Sequence, residues 1–202
     1  PYGKDIVGQL HAAARRHGLK VGWYYSTRDW SHPDYLKGDN QIYDRYYEAQ
    51  VKELLTRYPP DLMWFDWCFG HADQYTHLEL FKMMYEIHPA LVVNDRAAKG
   101  VHAMAADQAS LLGGDFDTPE NHMGEFQYGR AWESCMILSN HPDSGGWSYR
   151  SDAQTRSLKE TVRLLSSSAC GDGNMLLNLA PRPDGTFRLE EETILHGVGL
   201  WT

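Results

Sequence analysis

The chain has 202 residues, enough to bury a sizeable core, and one domain is the default expectation. Its formal net charge of −8 gives a nucleic-acid role no electrostatic support, and no apolar run approaches the roughly 20 residues that span a bilayer. The three cysteines, Cys68, Cys135 and Cys170, show no CxxC spacing and read as free thiols, while 7 Trp and 12 Tyr point to carbohydrate contact or a well-filled core.

Taken in order, Ile6, Val7, Leu10, Ala13 and Ala14 make a helical stripe over 5–17, with Gly18 as the C-cap candidate. Leu19 to Ser26 reads as a strand, and Thr27 to Asn40 as a loop. Tyr43, Tyr47, Val51, Leu54, Leu55 and Tyr58 form a second helical stripe, a core face stopped by Pro59-Pro60.

The stretch Pro60-Asp-Leu-Met-Trp-Phe-Asp-Trp-Cys-Phe-Gly70 then reads as a buried strand whose one polar side chain is Asp66. Alternation puts Trp64 and Asp66 on one face. A ring beside a carboxylate at a strand end suits a sugar, the ring covering a pyranose face and the carboxylate addressing the anomeric carbon. The competing reading of Asp66 is a cap for the next element.

A helix is expected over about 75–88, a strand over 90–96, and a long segment without periodicity over 97–129. Further strands are expected at 132–138 and 174–180, with a capped helix over 151–170 and a last helix over 189–200. Asp184-Gly185 is expected to make a turn, Trp201 to pack at a helix end, and Trp147 is a candidate for the acceptor side of a pocket.

Strands alternating with helices argue for a parallel α/β sheet. The strands end in Tyr25-Ser26, Asp66-Trp67, Asn94-Asp95-Arg96 and Asn178, functional groups at the C-terminal ends as in a (β/α) barrel. About five parallel strands are expected, against the eight of a closed barrel. The expected fold class is therefore α/β, an incomplete TIM-type barrel forming a single domain over 1–202.

Six motifs carry a family resemblance. Gly-Leu-Lys-Val-Gly-Trp-Tyr-Tyr-Ser (18–26), Pro-Asp-Leu-Met-Trp-Phe-Asp (60–66) and Val-Asn-Asp-Arg (93–96) resemble the α-L-fucosidases of glycoside hydrolase family 29. So do Gly-Asp-Phe-Asp-Thr-Pro-Glu (114–120), Trp-Glu-Ser-Cys-Met (132–136) and Gly-Asn-Met-Leu-Leu-Asn-Leu-Ala-Pro-Arg-Pro-Asp-Gly (173–185). Each alone is weak; in the family's order and spacing they are strong, and they cover essentially the whole chain.

The resemblance implies a retaining exo-glycosidase that hydrolyses terminal α-L-fucosyl linkages of oligosaccharides or glycoconjugates by double displacement. It implies Asp66 as nucleophile and Glu120 as acid/base, with Glu125, Glu133, Asp115 and Asp117 as other candidates for the second role. Tyr24, Trp64 and Arg96 match positions around the fucose, and Trp67 and Trp132 are further candidate contacts. Asp66 is expected to stay ionised near Arg96, and Glu120, in a loop with Phe116 and Pro119, to hold a raised pKa. The mechanism requires no cofactor and no metal.

The family's first strands, its His-His pair and its C-terminal β-sandwich have no counterpart here, and neither an initiator Met nor a leader precedes Pro1, so a processed or partial product is expected. His32, His71, His122 and His141 are the local candidates to replace the histidines, each weighed against a solvated loop histidine. An open sheet edge predicts a homo-oligomer that covers it. The alternatives are a fucose-binding or interaction module without catalysis, and a retaining glycosidase for another sugar.

Overall fold

The computed structural model describes residues 3–35, 41–67, 77–97, 114–124, 126, 129–142 and 146–202. Cys68, His71 and Glu125 lie outside them. The described residues form an α/β fold that divides into two compact units, 1–116 and 117–202.

In the first unit, strands β1 (Gly22–Ser26), β2 (Leu62–Asp66) and β3 (Val92–Val93) form one parallel sheet in that order. The register sets Tyr24 opposite Trp64 and Ser26 opposite Asp66. Odd-numbered Trp23, Tyr25, Met63, Phe65 and Val93 turn toward helices α2 (Gln41–Arg57) and α3 (His77–Ile87). Tyr43, Tyr47, Val51 and Leu55 recur every four residues along α2, so they form one buried face against Met63 and Phe65. Leu80, Phe81 and Met84 of α3 close the same core. Each such side chain contributes roughly 1.5–3 kcal/mol of burial, and the sum holds the sheet's other face, with Tyr24, Ser26, Trp64 and Asp66, in place.

Helix α1 (Ile6–Arg16) starts where the Asp5 carboxylate accepts the Gly8 N–H at 2.8 Å and stops near Gly18, whose φ of +70° suits glycine. Its apolar stripe is not buried: Ile6 is 59% and Leu10 58% exposed. The strand expected over 90–96 is cut to Val92–Val93, and a 3-10 turn takes Asp95–Ala97. The Asn94 side chain explains the change. Its Oδ1 accepts the Phe65 N–H at 2.8 Å and its Nδ2 donates to the Phe65 carbonyl at 2.9 Å, satisfying the β2 backbone in place of a further ladder residue.

The second unit is built around β5 (Ala131–Ile137) and β8 (Asn174–Asn178), parallel, with Glu133 opposite Asn174 and Ile137 opposite Asn178. Three two-residue strands were not expected: β4 (Phe116–Asp117), which falls on the boundary between the units, and β6 (Ser139–Asn140) and β7 (Gln154–Thr155) in the second. The last two pair antiparallel, Ser139 opposite Thr155. They also shorten the helix expected over 151–170: α4 spans Leu158–Cys170 because β7 occupies part of the earlier stretch. Its start is a capping box, the Ser157 hydroxyl accepting the Glu160 N–H and the Glu160 carboxylate accepting the Ser157 N–H. Helix α5 (Leu189–Trp201) is fixed at its first turn, where Glu191 is 1% exposed and accepts the Ser139 hydroxyl at 2.7 Å. Its last turn leaves Leu200 and Trp201 exposed, so Trp201 does not pack at the helix end as expected. Cys135 is buried and Cys170 exposed, and neither forms a disulfide among the described residues.

Candidate active site

Asp66 ends β2, and parallel pairing with β1 fixes which side chains meet its carboxylate. Tyr24, two residues back on the neighbouring strand, donates its hydroxyl to Oδ2 at 2.7 Å. Arg96, in the turn after β3, brings Nη1 to Oδ1 at 3.2 Å, and both members of that ion pair are largely buried. Charge-assisted bonds of this kind are about twice as strong as neutral ones.

Trp64 joins the group from the same sheet face. Its ring stacks on Tyr24 with centroids 5.7 Å apart, and the Arg96 guanidinium lies 4.7 Å from the ring centre. Arg96 therefore touches both the carboxylate and the ring. A fixed carboxylate flanked by a phenol, a guanidinium and aromatic faces can hold a polyhydroxylated ring and present an anionic oxygen to one of its carbons.

Beyond Asp66 the backbone turns sharply. Trp67 takes φ +60°, a left-handed conformation that costs a non-glycine residue about 1–2 kcal/mol. Thr27 clips the two strand ends together, its hydroxyl donating to the Trp67 carbonyl at 2.9 Å, while its own carbonyl accepts the Tyr43 hydroxyl at 2.6 Å. The Arg28 guanidinium lies over the Trp67 ring, 3.6 Å from its centre. Trp67 remains 39% exposed.

In the second unit, Glu120 lies against β5, bridged to Cys135 in parallel, with the Cys135 N–H donating to Pro119 O and the Asn121 N–H to Cys135 O, both at 2.9 Å. Its side chain is exposed. The other candidate acids differ. Asp115 is engaged with the backbone of its own unit: Oδ2 accepts the Val93 N–H at 2.8 Å and the Tyr85 hydroxyl at 3.2 Å. Burial, then the Asp115 charge, pushes the Tyr85 phenol up to about 12. Asp117 is paired with Arg130 Nε at 2.6 Å, and Glu133 on β5 is half-buried.

Trp132 meets a packing environment. It is 1% exposed, its indole N–H donates to Gly171 O at 3.2 Å, and a Cβ on Gly173 would stand 2.2 Å from its ring. Bare glycine backbone encloses it on Gly124, Gly171 and Gly173, so its ring fills the core of this unit. The histidines are also engaged. His32 packs on Tyr43 and Tyr46 and accepts the Asp34 N–H, His122 bonds Glu120 O, and His141 is buried against Arg150 and Asp152.

The carboxylate-centred site at the end of parallel strands is of the kind that hydrolases acting on sugars build. Known proteins agree. The family model for alpha-L-fucosidase matches residues 1–202. The human plasma alpha-L-fucosidase is 30% identical over 98% of this chain and the rat one 29%, the chain spanning 43% and 44% of those proteins. Among solved structures, alpha-L-fucosidase isoenzyme 1 of Paenibacillus thiaminolyticus superposes with a TM-score of 0.83 at 29% identity, over 100% of this chain and 52% of that one. The Bacteroides thetaiotaomicron GH29 alpha-L-fucosidase, captured as a trapped covalent intermediate with 2-fluoro-fucosyl fluoride, gives 0.79 at 27% identity, over 100% and 50%. The chain belongs to the alpha-L-fucosidase family.

Proposed function

We propose that the chain carries the donor-sugar site of a retaining α-L-fucosidase acting on terminal fucosyl groups of glycans, with Asp66 as nucleophile and Glu120 as acid/base. The observation that carries this reading is the Asp66 carboxylate, its two oxygens held by Tyr24 and Arg96 beside Trp64. In the first step an Asp66 oxygen bonds the anomeric carbon as the bond to the leaving oxygen breaks, and Glu120 gives that oxygen its proton. In the second, water attacks the same carbon, Asp66 departs, and Glu120 takes the water's proton. The covalent intermediate trapped in the Bacteroides relative supports this two-step course. For Glu120 the support is indirect: it stands in the Thr-Pro-Glu motif, whereas Asp115 accepts the Val93 N–H and Asp117 pairs with Arg130.

Tyr24, Trp64, Arg96 and Trp67 are the proposed sugar contacts; Trp132, enclosed by glycine backbone, is assigned to packing. The parallel sheets support the reading of the chain as part of a (β/α) barrel. The exposed Ile6 and Leu10, and the position of β1 at the end of its sheet, support coverage of this edge by a second copy of the chain. Sedimentation of a monomer at micromolar concentration sinks that part.

The test of the catalytic reading is release of p-nitrophenol from an aryl α-L-fucoside by the chain, beside Asp66→Ala and Glu120→Ala. Turnover abolished by Asp66→Ala supports the assignment, and near-normal turnover in that variant sinks it. Glu120→Ala is expected to harm substrates with a poor leaving group far more than the aryl fucoside, since nitrophenolate needs little protonation. Fucose binding without turnover in the parent chain reassigns it as a binding module.

A further inference from the structure

We propose that Arg28, held on the face of Trp67, forms an anion-reading subsite at the rim of the Asp66 site, selecting a glycan that bears a carboxylate or sulfate next to the fucosyl group. The inference rests on the fucosidase reading for the identity of the neighbouring sugar.

Three features of the first unit carry it. The first is position. Trp67 directly follows Asp66, and the Arg28 backbone N–H donates to Oγ of Ser26, the residue opposite Asp66 in the register. The guanidinium thus stands beside the nucleophile's strand end. The Asp66 oxygens are served by Tyr24 and Arg96, not by Arg28.

The second is preorganisation. Thr27 ties its hydroxyl to Trp67 O and its carbonyl to the buried Tyr43 hydroxyl, so the segments bearing Arg28 and Trp67 are locked together. The guanidinium carbon lies 3.6 Å from the ring centre, a contact made through the face of the indole.

The third is charge. Among the described residues Arg28 forms no ion pair. The adjacent Asp29 is engaged elsewhere, its Oδ1 accepting the Ser31 N–H at 3.0 Å and the Ser31 hydroxyl at 2.6 Å. Arg28 is exposed, and a guanidinium carries five N–H donors. A planar cation on an aromatic platform at a sugar-site rim matches a planar carboxylate or a sulfate oxygen pair, both of which take bidentate N–H bonds. A neutral hydroxyl gains much less from it. The left-handed backbone at Trp67 fits the same picture, since strain of this kind persists where surrounding structure imposes it.

The test is binding by the intact chain, read by calorimetry and tryptophan fluorescence, of methyl β-glucuronide, galactose 6-sulfate and neutral methyl β-galactoside. Arg28→Ala, Arg28→Lys and Asp66→Asn are run beside the parent. The expected result is a preference of about tenfold for at least one acidic ligand, lost in Arg28→Ala and only partly kept in Arg28→Lys, whose ammonium cannot bind bidentately. The uronate and sulfate arms identify which anion is read. That preference should fall as salt rises and survive in Asp66→Asn. Matched thermal melts of the Arg28 variants show that a lost preference is not a lost fold. Equal affinity for acidic and neutral ligands, or an acidic preference untouched by Arg28→Ala, overturns the proposal. Acidic-ligand binding without fucoside turnover keeps the subsite and removes the enzyme reading; fucoside turnover without charge preference does the reverse.

Discussion

Tyr24 and Asp66 stand on neighbouring parallel strands two register steps apart, and the phenol of one donates to the carboxylate of the other at 2.7 Å. The geometry follows from the sheet: Tyr24 lies opposite Trp64, stacks on it, and leans along the strand to reach the terminal carboxylate. Tyr24 is 59% exposed, so its hydroxyl orients Asp66 more than it holds the fold.

Tyr24→Phe is therefore expected to lower kcat/KM for an aryl α-L-fucoside by about 10- to 100-fold, the range of a hydrogen bond to a charged group. The melting temperature should move by no more than about 2 °C, because the ring and its stacking stay. A variant as active as the parent sinks the orienting role.

Arg96 has the opposite profile. It and Asp66 form a nearly enclosed pair, with side chains 13% and 14% exposed, and it also lies over Trp64. Arg96→Met is expected to cost both function and stability, on the order of 2–4 kcal/mol in urea unfolding, because an enclosed carboxylate loses its cation. Arg96→Lys should restore little activity, an ammonium being unable to face the ring and the carboxylate at once. Full activity in Arg96→Lys contradicts this account.

Several of these relations are legible in the sequence. Spacing marked the buried face of α2, and a lone carboxylate closing an apolar run marked Asp66. Other features are tertiary. Asn94 ends β3 early because its amide imitates a backbone unit, which no propensity encodes. The two-residue strands β6 and β7 exist through their pairing with each other. The start of α4 is written in Ser157 followed three residues later by Glu160, six residues beyond the start expected at 151. Trp132 is a candidate sugar contact in the sequence. The signal for its burial was Gly171 and Gly173, whose missing side chains leave a slot for the indole. Nothing local connects Arg28 to Trp67; the clip through Thr27 does.

Trp67 separates strain from contact. Both Trp67→Ala and Trp67→Gly remove the stack with Arg28, yet only glycine adopts φ +60° freely. The glycine variant is expected to be the more stable of the two by about 1 kcal/mol, the left-handed penalty less the added freedom of the unfolded chain. Thermal melts of the pair decide it, and an alanine variant of equal or higher stability shows that the strain is not stored there.

The opposite end of β2 sets an acid limit on the fold. Asp61, just before the strand, accepts the Val21 N–H at 2.8 Å and pairs with Arg15 and Lys20. Burial pushes its carboxyl up, but the Val21 N–H, the Lys20 ammonium and the Arg15 guanidinium together outweigh it and hold the pKa down to about 2. A pKa lower in the folded than in the unfolded chain stabilises the protein above the ordinary value of 3.8, and that stability drains away as pH falls toward 2. Lys20 is well exposed, so the contribution is discounted to on the order of 1–2 kcal/mol. Asp61→Asn should accordingly be less stable than the parent by about that amount at pH 6. The gap should close progressively between about pH 4 and pH 2, where the parent's own carboxylate becomes protonated. Urea unfolding of both proteins across that range measures it, and a gap that stays constant down to pH 2 shows that Asp61 acts through shape rather than charge.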